Sequence, residues 1–234
     1  GHTIVNTEIL RLNENFKSIP AGSLDLKDTF FNPSVLTENG GIEPILRGLA
    51  YQRCQMIDSK IVNDLRNSLF TSFDLASFNI QRGRDHGLPD YNTVRKYFNL
   101  PEAKTFADIT SDVKLQAFLR QAFGSVDNID PWVGMICEDH PDYAKIGELN
   151  YYIIKQQFEY LRDSDRFWYE IDPELQSELF WLNDLRLSQI IQYNTNIEGM
   201  PVNAFQAVPE PASVLLTLTA LAIIPLKKRS RNSI

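Results

Sequence analysis

His2 and the run Phe78-Asn79-Ile80-Gln81-Arg82-Gly83-Arg84-Asp85-His86-Gly87-Leu88-Pro89 hold the side chains best suited to chemistry. Val5, Ile9 and Leu12 lie at helical spacing from His2, which puts its imidazole on an apolar face. An imidazole so placed can ligate iron through one ring nitrogen. The other nitrogen then needs an acceptor, which fixes the tautomer and raises ligand basicity. A core histidine bonded to backbone satisfies the same pattern. In the second segment Arg82 offers a planar fork for bidentate binding of a carboxylate. Asn79 offers a short amide carbonyl close by. A plain helix end is the alternative, with Arg84 and Asp85 paired locally, His86 favourable to the dipole and Gly87 as the cap.

The elements that must position these groups read as mainly α. Helical spacing predicts a helix over residues 1–13 and a loop over 14–40. A long helix opens at Glu43-Pro44 and runs to about Leu69, with Leu46, Leu49, Ala50, Ile57, Ile61 and Leu65 as its stripe. Short helices follow over 74–84 and 90–98, separated by Gly87 and Pro89. Further helices are predicted over 111–123, with Val113, Phe118 and Leu119 inward and Gly124 as cap, over 129–136 and over 147–161. A last one spans 173–193, with Leu175, Leu179, Leu182, Leu185 and Ile190 inward. No sustained period-2 pattern and no internal repeat occurs. Cys54 and Cys137 lack CxxC or zinc-type spacing and read as buried free thiols, with pairing left open.

Charge narrows the partners. The chain carries a net charge of -7 over 234 residues, and four of its basic residues, Lys227, Lys228, Arg229 and Arg231, cluster at the end. Without them 19 basic residues face 30 acidic ones. An acidic body argues against nucleic acid, whose affinity rests on phosphate contacts.

Residues 79–93, together with Gly1-His2, resemble the proximal side of animal-type haem peroxidases, the myeloperoxidase/peroxidasin superfamily. The spelling Asn-x-Gln-Arg-x-Arg-Asp-His-Gly-Leu-Pro-x-Tyr-Asn is close to a signature of that family. Supporting matches run through residues 41–49, 128–134, 157–170 and 190–195, so the resemblance covers about 1–205. It implies a helical peroxidase fold, incomplete here. It implies that His2 is the proximal axial ligand of haem iron, that Asn79 accepts the ligand's N–H, and that Arg82 pairs with a haem propionate. His86 matches a structural position, and His140 lies outside any match. The implied cofactor is haem, b-type or covalently attached, with calcium in the full-length protein. The implied activity is oxidation of halide or organic donors by hydrogen peroxide.

One departure is large. In the family the distal histidine, glutamine and arginine, the calcium ligands and the haem-esterifying carboxylates all precede the proximal histidine. The expectation is therefore a C-terminal proximal half, partnered by an upstream half, with no catalytic residue of its own. Two other readings stand beside it: a non-catalytic surface or adhesion module with a degenerate peroxidase fold, and a haem fatty-acid dioxygenase.

Composition changes sharply after about Val202. Val208-Pro209-Glu210-Pro211 precedes an uncharged run over 212–226, and the basic cluster follows at once. Fifteen helical residues span about 22 Å, short of the roughly 30 Å hydrocarbon core unless extended and aided by snorkelling basic side chains. Residues 206–234 resemble the PEP-CTERM sorting signal of Gram-negative bacteria. That resemblance implies export to the cell envelope, a transient inner-membrane anchor, and processing by an exosortase-type peptidase.

Overall fold

The computed structural model describes residues 1–68 and 73–206. The expected sorting tail therefore lies outside the described residues. The architecture is mainly helical, as the sequence predicts. Helices α1 (Leu26–Thr29), α2 (Ile42–Tyr51), α3 (Leu75–Asp85), α4 (Tyr91–Tyr97), α5 (Val113–Phe123), α6 (Pro131–Cys137), α7 (Glu148–Ser164), α8 (Leu179–Leu182) and α9 (Leu187–Asn194) follow one another. A two-residue antiparallel ladder pairs β1 (Glu8–Ile9) with β2 (Leu24–Asp25).

Local chemistry explains the central helices. Asp74 caps α3 by accepting from the Ser77 backbone N–H at 2.8 Å. Arg82 and Arg84 occupy its last turn, where cations favour the dipole. Gly87, at φ 68°, turns the chain out of the helix. Asp90 and Asp112 cap α4 and α5 in the same manner as Asp74, and Gly124 ends α5 at φ 72°. The principal core joins α4, α5, α6 and α7 through Tyr91, Phe106, Leu119, Ile129 and Leu149. α6 lies close on α4 because Gly134 has no side chain. A Cβ there would fall 2.2 Å from Tyr91 Cδ2.

Three expected helices are corrected. Residues 1–13 form a short 3-10 turn, His2–Ile4, and then run extended. Their backbone groups bond to distant partners instead of to each other. Leu10 N–H donates to Gln52 Oε1 at 3.3 Å, Leu12 N–H to the Pro44 carbonyl at 2.9 Å, and the Ile4 carbonyl accepts from Gln55 N–H at 3.0 Å. The helix opened by Glu43-Pro44 stops at Tyr51. Gln52 leaves it and donates from Nε2 to the Glu8 carbonyl at 2.9 Å. Gly48 makes this packing feasible, since a Cβ there would sit 1.7 Å from the Leu10 carbonyl oxygen. The last helix breaks between α8 and α9.

Burial corrects further details. Val113 and Phe118 face outward, at 75% and 66% exposure, while Leu119 is buried. Ile190 and Leu49 are exposed as well. Both thiols are free, but Cys54 is exposed and only Cys137 is buried. The helix expected to carry Cys54 inward has ended before it. Burial pushes the Cys137 thiol up to about 12, with nearby Asp58 and Glu138 adding to the effect.

Gly134→Ala should cost about 1–3 kcal/mol by overpacking against Tyr91. Urea denaturation measures it. A loss below about 0.5 kcal/mol, the range of surface substitutions, contradicts the close approach of α6 to α4.

Candidate functional site

α3 brings the sequence-predicted residues together. It presents the Asn79 side chain to His2, 77 residues away, with Nδ2 3.1 Å from His2 Nδ1. The same Nδ2 donates to the Leu75 carbonyl, one turn earlier, at 2.7 Å. His2 thus meets the predicted partner although the helix expected to carry it is absent. Burial lowers the His2 pKa. The neutral ring, the form that can bind a metal, is favoured.

Because Leu75 holds the amide nitrogen, that nitrogen also faces the ring. With Nδ1 as the acceptor of this contact, the ring proton would sit on Nε2. Ligation through Nε2 requires the amide to turn, so that Oδ1 accepts from Nδ1–H.

Two cavities adjoin this pair. One, of about 300 Å³, is lined by His2, Asn79, Trp132, Met135, Ile136 and Asn150, among others. The other, of about 480 Å³, is lined by Asn79, Arg82, His86, Trp132, Met135 and Ile153, among others. Asn79, Trp132 and Met135 belong to both. His2 lines the smaller cavity and Arg82 the larger, and the three shared residues join the two. An apolar wall with a few converging polar groups suits a flat, mostly apolar ligand with an acidic edge. Arg82 is exposed and has no carboxylate partner among the described residues.

The local ion pair expected between Arg84 and Asp85 does not form. Arg84 pairs with Asp130, and Asp85 accepts instead from Gln81 Nε2 at 2.7 Å. His140 bonds through Nε2 to the Ile57 carbonyl at 2.7 Å, away from the His2 pair. Among the described residues no group of three or more His, Cys, Asp or Glu side chains could hold a metal ion.

Sequence reasoning passed over the polar core behind α6. Arg95 Nη1 donates to Glu138 Oε1 at 2.6 Å and Nη2 to Glu148 Oε2 at 2.8 Å. The Tyr91 hydroxyl donates to Glu138 Oε1 at 2.6 Å, and Leu149 N–H donates to Oε2 at 2.8 Å. Burial pushes the Tyr91 hydroxyl well above its ordinary value, with the Glu138 charge adding to the shift. This network ties α4 and α7 to the end of α6, which carries Trp132 and Met135. No local motif marks Glu138 or Arg95, since their meaning arises only from the packing. Asn150, equally unmarked, reaches the smaller cavity from α7.

Comparison with known proteins agrees with this architecture. The family model "Animal haem peroxidase" matches residues 1–205. Peroxinectin A of Dictyostelium discoideum is 39% identical over 212 residues, covering 88% of this chain and 39% of its own length. Mouse lactoperoxidase is 36% identical over 228 residues, covering 90% of this chain and 32% of its own. The solved structure of Peroxidase A from Dictyostelium discoideum superposes with a TM-score of 0.78 at 36% identity, covering 87% of this chain and 40% of that one. A rice fatty acid alpha-dioxygenase superposes with a TM-score of 0.72 at 19% identity, covering 88% of this chain and 38% of that one, a likeness of fold alone. The class defined is thus a helical peroxidase-type domain. The chain belongs to the animal haem peroxidase family. It spans roughly two-fifths or less of these relatives' lengths.

Glu138→Ala should destabilise the protein by about 3–5 kcal/mol, because the buried Arg95 charge loses its closest carboxylate. Chemical denaturation measures it. A loss under about 1 kcal/mol contradicts a buried, ion-paired Glu138.

Proposed function

We propose that this chain is the proximal, haem-holding half of a peroxidase that uses hydrogen peroxide to oxidise halide or organic donors. The observation that carries the reading is the Asn79–His2 contact across 77 residues, with Arg82 at the adjoining cavity. Haem, when bound, supplies the peroxide reduction and donor oxidation. His2 would hold the iron. Asn79, with its amide turned, would accept a hydrogen bond from Nδ1–H, which gives the ring imidazolate character and lowers the iron's reduction potential. Arg82, without a carboxylate partner among the described residues, would hold a propionate as a charge-assisted pair. Trp132 and Met135 line both cavities and would give a bound macrocycle an apolar surface.

The acid–base groups that move protons on peroxide are assigned, by family resemblance, to sequence preceding His2, as are the calcium ligands. An upstream half is therefore the principal partner. The domain boundary is proposed at about residue 205, where the family match ends. The Pro-Glu-Pro, apolar and basic order over 208–234 supports export to the envelope and processing by an exosortase-type peptidase. No helix among the described residues is long and apolar enough to cross a membrane. A non-catalytic surface module would keep the fold without the peroxide chemistry.

Haem reconstitution of the full-length protein tests the reading. Wild type should give a haem-protein Soret band and peroxide turnover. His2→Ala should lose both, and Arg82→Gln should bind haem about tenfold more weakly. Protons compete with iron for His2. Affinity should hold above the histidine's folded pKa and fall as pH drops through it, below the ordinary 6.5. Equal spectra and turnover in wild type and His2→Ala overturn the proposal. Haem binding without turnover in wild type favours the non-catalytic module.

A further inference from the structure

Asn79, Arg82 with Gly83, and His86 recur at i, i+3/i+4 and i+7. They form one face at the C-terminal half of α3, and that face lines the larger cavity. Asp130, at the start of α6, lines the same cavity. A carboxylate there is a hazard to an anion site. Left alone, it would draw Arg82 to itself and repel an incoming acid group, since burial leaves such charges poorly screened.

Arg84 removes the hazard. It lies off the cavity face, and its Nε and Nη2 reach Asp130 Oδ1 and Oδ2 at 2.9 and 2.7 Å. This two-pronged pair occupies both carboxylate oxygens. Asp130 is only 14% exposed, so water screens it little. Both Asp130 oxygens are thus engaged by Arg84, and Arg82 is left without a carboxylate partner among the described residues. The pair also links two segments 46 positions apart, joining α3 to the helix that carries Trp132 and Met135.

We propose that Arg84 is a positioning residue that sequesters Asp130 and so keeps Arg82 free for the acid group of the ligand. The proposal rests on the haem reading above. It makes a distinction that a merely structural tie would not. If Arg84 acts by masking a charge, removing that charge should make Arg84 dispensable.

The test is titration of the full-length protein with ferric haem, followed by the Soret band and by quenching of tryptophan fluorescence, neither of which needs activity. Arg84→Gln should bind about tenfold more weakly than wild type. Asp130→Asn should bind at least as tightly as wild type. The double variant Arg84→Gln/Asp130→Asn should recover wild-type affinity although the tie between α3 and α6 is gone. If Arg84→Gln proves unstable by circular dichroism, Asp130→Asn alone decides, because a structural tie requires it to weaken binding too. Unchanged affinity in Arg84→Gln, failure of the double variant to recover, or weakened binding in Asp130→Asn overturns the proposal while the haem reading stands. A wild type that binds no haem removes both.

Discussion

The arrangement depends on one amide. Asn79 sits on a capped helix with its nitrogen held by the Leu75 carbonyl, and it meets an imidazole 77 positions earlier in the chain. Everything around it fixes that meeting. The Asp74 cap starts the helix, Gly87 ends it, and the Arg84–Asp130 pair ties its end to α6. On the other side the His2 segment cannot wander, because its backbone bonds to Gln55 and Gln52 rather than to itself. A half-buried, neutral imidazole is thereby aimed at an apolar wall.

In the proposed haem site, the polarity of that amide would couple the pair to its ligand. With nitrogen facing the ring, the proton sits on Nε2, where iron would bind. With oxygen facing the ring, the proton moves to Nδ1 and Nε2 is released. The Leu75 carbonyl favours the first state, and iron would favour the second. A short polar side chain in a low-dielectric setting makes this choice costly to leave unresolved.

Much of the central fold was legible because its signals are local. Asp74, Asp90 and Asp112 cap helices, Gly87 and Gly124 end them, and α3 to α7 fall close to their predicted places. The first thirteen residues were not legible. Val5, Ile9 and Leu12 have helical spacing, yet extended backbone wins by bonding to Gln52 and Pro44, which no local pattern reveals. Val113 and Phe118 mislead for a related reason: their apolar faces lie exposed among the described residues. The site itself was legible through a family spelling, not through periodicity. The Arg95–Glu138 core and the role of Asp130 emerge only when helices far apart in sequence are packed together.

The most direct test of the central claim is the iron–histidine stretching band in resonance Raman spectra of the ferrous, haem-loaded full-length protein. An oxygen-facing Asn79 behind His2 predicts a band at high frequency, shifted down when Asn79→Leu removes the acceptor and absent in His2→Ala. A band that is unmoved by Asn79→Leu, or that persists in His2→Ala, contradicts the account.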